Sequence, residues 1–188
     1  MAVNIKIWGP SVWYTMHKIA FSLPQTENNL QANKKKQLID FYKSLSHLLP
    51  CTHCRQHYKI MLKKHNIAKN SVSGKKISKW GVKIHNIVNR SLNKAVMNYP
   101  IATSMYKNKR INHNKLQNYI KFILIKSSKF PLNSRKVNAK TLIQTYPCLK
   151  CKNRMIKFLE NNKLSNINNQ KQMTEWSKKL FRISKKPC

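Results

Sequence analysis

Cys51-Thr52-His53-Cys54 and the downstream segment Trp80-Gly-Val-Lys-Ile-His-Asn-Ile-Val-Asn89 hold the side chains best suited to chemistry. A CxxC closes a small disulfide ring and suits thiol–disulfide exchange, in which one thiolate attacks and the other resolves. The same pair could instead hold zinc with His57, leaving Cys148 or Cys151 as a distant fourth ligand, or the spacing could be a coincidence. His85 and Asn89 are four apart and share a helical face. Beside them Ile84, Ile87, Val88, Leu92 and Ala95 recur at helical spacing as an apolar stripe. Trp13 and His17 are also four apart. Singly, each His or Trp reads as an ordinary core residue. Together, an aromatic–imidazole pair and an imidazole–amide set (His85 with Asn86 and Asn89) accompany a dithiol in one small domain.

The elements that must position these groups are helical. Trp8-Gly9-Pro10-Ser11 reads as a turn into a helix capped by Ser11, running to Leu23-Pro24. A polar loop, Gln25 to Asn33, leads to a second helix from Lys36 to Leu49, ended by Pro50. The CxxC then opens a third helix, where the positive end of the macrodipole favours the thiolate. After the loop Ser71-Val72-Ser73-Gly74, a helix spans about Ser78 to Met97, and Tyr99-Pro100 closes it. Residues 114 to 126 look helical, Pro131 breaks the chain, and Lys140 to Tyr146 is short and apolar.

Composition agrees. The chain has 188 residues, 3 of them glycine, with 41% apolar residues, and no Asn-Gly or Asp-Gly hairpin signal. The fold class is all-α, in one domain or two small ones. The formal charge is +34, from 38 basic and 4 acidic side chains. Such a chain binds polyanions non-specifically, yet the basic residues run along the whole sequence, as a Lys- and Asn-rich codon bias would produce. No stretch reaches the length of a membrane helix. Met1-Ala2-Val3-Asn4 leads straight into an aromatic helix start without a secretory apolar segment, so a cytosolic compartment is expected. There, disulfides are mostly catalytic or transient.

The second half repeats the first. Pro147-Cys148-Leu-Lys-Cys151-Lys152 matches Pro50-Cys51-Thr-His-Cys54-Arg55 at a spacing of about 97 residues. Tyr58 and Leu62 fall opposite Met155 and Leu159, and Trp80 falls opposite Trp176. His85 and Asn86 are replaced by Phe181 and Arg182, so the second copy lacks the polar pair. This divides the chain into residues 1–98, holding the site, and residues 99–188, a helical degenerate copy.

An isoalloxazine or adenine ring needs stacking surfaces and a few convergent hydrogen-bonding groups, and the first half supplies both. Trp8-Gly-Pro-Ser-Val-Trp13-Tyr-Thr-Met-His17, the Pro50 to Arg55 dithiol, and Trp80 followed by His85-Asn86-Ile-Val-Asn89-Arg-Ser-Leu92-Asn-Lys94 occur in order. Together they resemble the Erv/ALR family of FAD-linked sulfhydryl oxidases over residues 5 to 97. The resemblance implies a four- to five-helix FAD-binding bundle, followed here by a flavin-free copy of the kind found in some larger relatives. Trp8, Gly9, Trp13, His17, Cys54, Trp80, His85, Asn86, Asn89 and Lys94 would contact FAD. It further implies that Cys51 meets the incoming protein thiol and Cys54 faces the flavin. Electrons would pass to molecular oxygen, giving hydrogen peroxide.

The chain departs from the family at Asn93, where glycine is frequent, and carries no cysteine between Cys54 and Cys148. Cys148 and Cys151 read as a shuttle pair, a structural disulfide or a relic of duplication; Cys188 reads as incidental. The family pattern implies a homodimer or an intrachain pseudo-dimer, and a small Lys- and Asn-rich version resembles members from large DNA viruses. These act in the host cytoplasm or virus factory and can be packaged in the virion. The reading from a different class is a basic nucleic-acid-binding protein with a Cys/His zinc site.

Overall fold

The computed structural model describes residues 4–126 and 129–185; Cys188 lies outside them. The described chain is all-α, without a strand, and no helix in it is long and apolar enough to cross a membrane.

Helix α1 (Ile5–Phe21) begins earlier than Ser11, because Asn4 caps it: its Oδ1 accepts from the Lys6 N–H at 2.9 Å. Pro10 therefore sits inside the helix. An interior proline costs about 3 kcal/mol, whereas burying side chains the size of Trp8, Val12 and Met16 contributes about 1.5–3 kcal/mol each. Burial wins, and the helix continues through the proline. Helix α2 (Ala32–Leu48) ends before Pro50, and α3 (Thr52–Lys64) starts at the dithiol with Cys51 as its cap. The short α4 (Ile67–Asn70) turns the chain into α5 (Gly74–Ser91).

Helix α5 stops at Ser91, short of Met97. Asn93 adopts φ 52°, the Lys94 N–H bonds Asn89 O at 2.8 Å and the Asn93 N–H bonds Arg90 O at 3.1 Å. This is a Schellman termination. The left-handed residue it needs explains why glycine suits position 93, and asparagine tolerates that backbone better than most residues.

The chain continues through α6 (Tyr99–Thr103) and a π-helical turn, Ser104–Asn108. Helix α7 (His113–Tyr119) runs on into a second π-helical stretch, Ile120–Ile125. After Pro131 come α8 (Leu132–Thr145), α9 (Leu149–Asn161) and α10 (Gln170–Ser184).

Local structure recurs between the halves. Cys148 caps α9 as Cys51 caps α3, each sulfur accepting the N–H of the cysteine three residues on. The Trp80 indole donates to His65 O at 2.9 Å and the Trp176 indole to Asn162 O at 2.8 Å, in each case the residue that ends the dithiol helix. The buried series Val12, Thr15, Met16, Ile19, Ala20 of α1 recurs as Leu116, Tyr119, Ile120, Ile123, Leu124. Helix α1 packs on α7 and α2 on α8, while α5 packs on α1 and α10 on the π-helical stretch Ile120–Ile125 that continues α7.

Helices α2 and α8 are antiparallel. Lys34 near the start of α2 donates to Gln144 O near the end of α8 at 3.2 Å. At the other end, the Arg55 guanidinium stands 4.6 Å from the centre of the Phe130 ring.

Candidate active site

Cys51 and Cys54 form a disulfide with Cα atoms 5.1 Å apart. The pairing follows from the N-terminal turn of α3, which folds residues i and i+3 onto one side. Cys54 lines a cleft with Trp8, Gly9 and Trp13 of α1, Tyr58 of α3, Val88 of α5 and Leu92 just past its end. Cys51 is outside that lining. The cleft continues past Gly9, Trp13, Val88 and Leu92 into a larger space of about 620 Å³. His85, Asn89 and Lys94 face this second part, together with Lys6, Lys109, Arg110 and Lys115. One end is thus apolar and abuts a disulfide; the other is rimmed by cations, with no carboxylate in its lining.

Several large apolar side chains left exposed belong to this cleft: Ile5, Leu92 and Met105 are 42%, 47% and 43% exposed. The apolar stripe of α5 is therefore only partly core. Ile84 is fully buried, while Val88 and Leu92 face the cleft.

The residues singled out from sequence fall into two groups. Trp8, Gly9, Trp13, Cys54, His85, Asn89 and Lys94 line the cleft. His17, Trp80 and Asn86 stand behind it. His17 is fully buried, its Nε2 2.9 Å from His85 Nδ1. His85 stacks on Trp13 with centroids 4.1 Å apart and planes 6° from parallel. Trp80 packs edge-on against Tyr42. Asn86 clamps the chain that returns after α5: its amide donates to Met97 O at 2.7 Å and its carbonyl accepts from the Met97 N–H at 2.9 Å. Asn89 reaches the same return segment at Ala95 O.

Burial, with the neighbouring His85, holds the His17 imidazole down at about 3. Burial and the Lys94 ammonium lower His85 to about 4. Both rings are neutral at physiological pH, so they serve as hydrogen-bonding and stacking surfaces rather than as cations.

Sequence patterning missed the cationic rim contributed by residues beyond 98. Lys18 holds it in place. This buried lysine donates from Nζ to Tyr106 O at 2.7 Å and to Lys109 O at 2.8 Å. Tyr106 is thereby laid on the His17 ring, centroids 4.4 Å apart, and Lys109, Arg110 and Lys115 are brought to the cleft. A lysine inside the apolar run Trp13 to Phe21 was the available signal.

Cys148 and Cys151 are remote from this site. They follow the end of α8, beside the start of α2, whereas Cys51 follows the end of α2. A helix of 17 residues separates those ends by about 25 Å. Cys148 is a free thiol, and one ring nitrogen of His113 and the sulfurs of Cys148 and Cys151 lie within 4.8 Å of one another. In the first half, the disulfide removes Cys51 and Cys54 as thiolate ligands for zinc.

A helical bundle with a CxxC disulfide opening on an aromatic and cationic cleft defines the class, and sequence comparison places the chain within it. A profile of the Erv1/Alr family matches residues 10–111, more than half of the chain, and the chain belongs to that family. A FAD-linked sulfhydryl oxidase of Oryza sativa is 32% identical over 88 residues, 47% of this chain and 43% of the rice protein. A probable FAD-linked sulfhydryl oxidase of Acanthamoeba polyphaga mimivirus is 31% identical over 96 residues, 50% of this chain and 65% of that protein. The FAD-linked sulfhydryl oxidase of African swine fever virus is 29% identical over 105 residues, 56% and 84% of the respective chains. The match thus spans under half of the rice relative and about two-thirds of the mimivirus one. No solved structure matches the chain.

Proposed function

We propose that the chain is a FAD-linked thiol oxidase that forms disulfides in protein substrates, passing their electrons through Cys51 and Cys54 to FAD and on to molecular oxygen, with hydrogen peroxide as product. The observation that carries the reading is the asymmetric placement of the disulfide: Cys54 opens on the cleft and Cys51 does not.

The cleft fits the cofactor in shape and charge. Its volume of about 620 Å³ lies in the range of cofactor pockets. A flat apolar ring system suits the end lined by Trp8, Trp13, Val88 and Leu92 beside Cys54. A diphosphate suits the end lined by Lys6, Lys94, Lys109, Arg110 and Lys115. The exposed Ile5, Leu92 and Met105 would be covered. Bound FAD supplies a two-electron acceptor for the dithiol and a donor to oxygen.

The residues of the chain perform the exchange. A substrate thiolate attacks Cys51 Sγ, forming a mixed disulfide and breaking the Cys51–Cys54 bond, and Cys54 leaves as the thiolate. The start of α3 favours that charge through its unpaired N–H groups. A second substrate thiolate attacks the substrate sulfur of the mixed disulfide and releases Cys51. Two substrate thiols are oxidised, and their electron pair resides on the dithiol at the cleft wall.

Residues 99–188 we read as a flavin-free copy that supplies an intrachain pseudo-dimer. Supporting this, α7 and α8 lie against α1 and α2, their counterparts in the repeated pattern. Phe181 and Arg182 stand in place of His85 and Asn86. Since the face for a second copy is occupied, the protein runs as a monomer of 22.2 kDa in light scattering; a dimer mass contradicts the pseudo-dimer. The viral relatives favour action in a host cytoplasm, virus factory or virion.

The deciding experiment is simple. Purified protein is yellow, and consumes oxygen and releases peroxide when given dithiothreitol. A colourless preparation with stoichiometric zinc would sink the oxidase reading in favour of the zinc protein.

A further inference from the structure

A second cleft, of about 540 Å³, lies at the other end of α3 from the dithiol. Lys63, Lys64 and His65 reach it from the end of α3, Lys69 from α4, and Lys79 and Lys83 from α5, with no carboxylate in its lining. The five lysines are all exposed. Burial, with Lys83 and Lys64, pushes the His65 imidazole below its ordinary range, so the cationic field converges on the cleft. Of the nearby acids, Glu27 is engaged by Lys75 at 3.1 Å. Lys79 also stands 5.7 Å from the centre of the Tyr99 ring.

The overall composition does not account for this grouping. The matching surface of the second half runs along the end of α9 and the start of α10, around Trp176. There Glu160 and Glu175 occupy the places of Lys63 and Lys79, and they are two of only 4 acidic residues in the chain. Lys63 and Lys64 complement the negative end of α3, but Lys79 and Lys83 sit within α5 and gain nothing of that kind. Like charges gathered without counter-charge destabilise a fold by themselves, which an anionic occupant would relieve.

We propose that this cleft is a binding site for the phosphodiester backbone of a nucleic-acid strand. All five of its permanently charged groups are lysines. Lysine binds phosphate as a point charge, without the fixed bidentate geometry of arginine, which suits a run of phosphates met in varying orientation. The indole of Trp80, buried and hydrogen-bonded to His65 O, offers no face to a base. The site therefore reads backbone charge and not sequence. It would tether the enzyme to nucleic acid through a surface separate from the redox cleft by the length of α3.

The test is binding of the full chain to a labelled single-stranded DNA of about 12 nucleotides, followed by fluorescence anisotropy between roughly 50 and 200 mM salt. Lys63→Glu with Lys79→Glu installs the acids of the second half. It is expected to weaken binding at least about tenfold and to lower the magnitude of the salt slope by about 1.4, about 0.7 for each lost contact. Lys150→Glu with Lys157→Glu, exposed on α9, changes net charge equally and is expected to alter affinity less than about twofold. The neutral pair Lys69→Ala with Lys83→Ala gives a comparable fall in slope without added repulsion. Equal weakening by the first and second pairs overturns the site, since total charge would then explain the binding. Displacement of the DNA by poly-glutamate as effectively as by tripolyphosphate overturns its preference for phosphate.

Discussion

His17 and His85 face one another between α1 and α5, Nε2 to Nδ1 at 2.9 Å, and both are held neutral. Their folded pKa values, about 3 and about 4, lie below that of a free histidine. The unfolded chain therefore binds more protons as pH falls below about 6.5. The stability they contribute is present above that pH and is lost as pH drops toward their folded values, with a slope of up to about 1.4 kcal/mol per pH unit for each ring. Urea unfolding at pH 7 and pH 5 measures it. Replacing both by glutamine flattens the dependence.

The Cys51–Cys54 disulfide lies at the cleft and Cys148 is remote from it, which gives unequal consequences for the cysteines. Cys54→Ala and Cys51→Ala each reduce dithiothreitol oxidation to background, because no exchangeable disulfide remains beside the cleft. Cys148→Ala leaves it largely intact, since Cys148 is about 25 Å away along α2. Oxygen-electrode rates on the three variants check this; a loss with Cys148→Ala as large as with Cys54→Ala would contradict the assignment of the active pair.

Lys18 fastens the rim to α1 through two carbonyl oxygens. Hydrogen bonds to a charged group contribute about 1.5–3 kcal/mol, so Lys18→Met is expected to lower stability by about 2 kcal/mol. It also frees Tyr106 and Lys109, and the protein should retain less flavin per chain on dialysis. Absorbance of the dialysed protein against denaturant midpoint separates the two effects.

At Gly74 the backbones of the α5 start and the loop after α1 nearly touch. A Cβ there would lie 2.0 Å from Pro24 O, closer than any side chain tolerates. Gly74→Ala should cost on the order of 3 kcal/mol, read as a shift in urea midpoint, whereas Gly9→Ala, with Ile5 the nearest neighbour at 3.4 Å, should shift it little.

Some of this was already written in local sequence. Proline followed by CxxC placed the dithiol at a helix start, and apolar spacing located α2, α5 and the helix from residue 114, because caps and helical faces depend on residues within a few positions. Trp80 and Trp176, matched in sequence, each donate an indole N–H to the carbonyl of the residue that ends the preceding CxxC helix. Boundaries set by competition with the core were less visible. Helix α1 runs through Pro10 because its early residues are buried, and α5 stops at a left-handed Asn93.

Tertiary structure alone decided which polar side chains face the cleft and which stand behind it. His85, Asn89 and Lys94 face it, whereas Asn86 is committed to Met97 and His17 lies beneath His85. It also decided that residues 106–115 complete the site, through a lysine whose acceptors lie some ninety positions away in sequence. The antiparallel packing of α2 and α8 sends two similar CxxC sequences to opposite ends of α2. Helical periodicity sets which residues share a face, but what that face meets is settled by long-range packing, where burial and hydrogen bonding between distant segments compete.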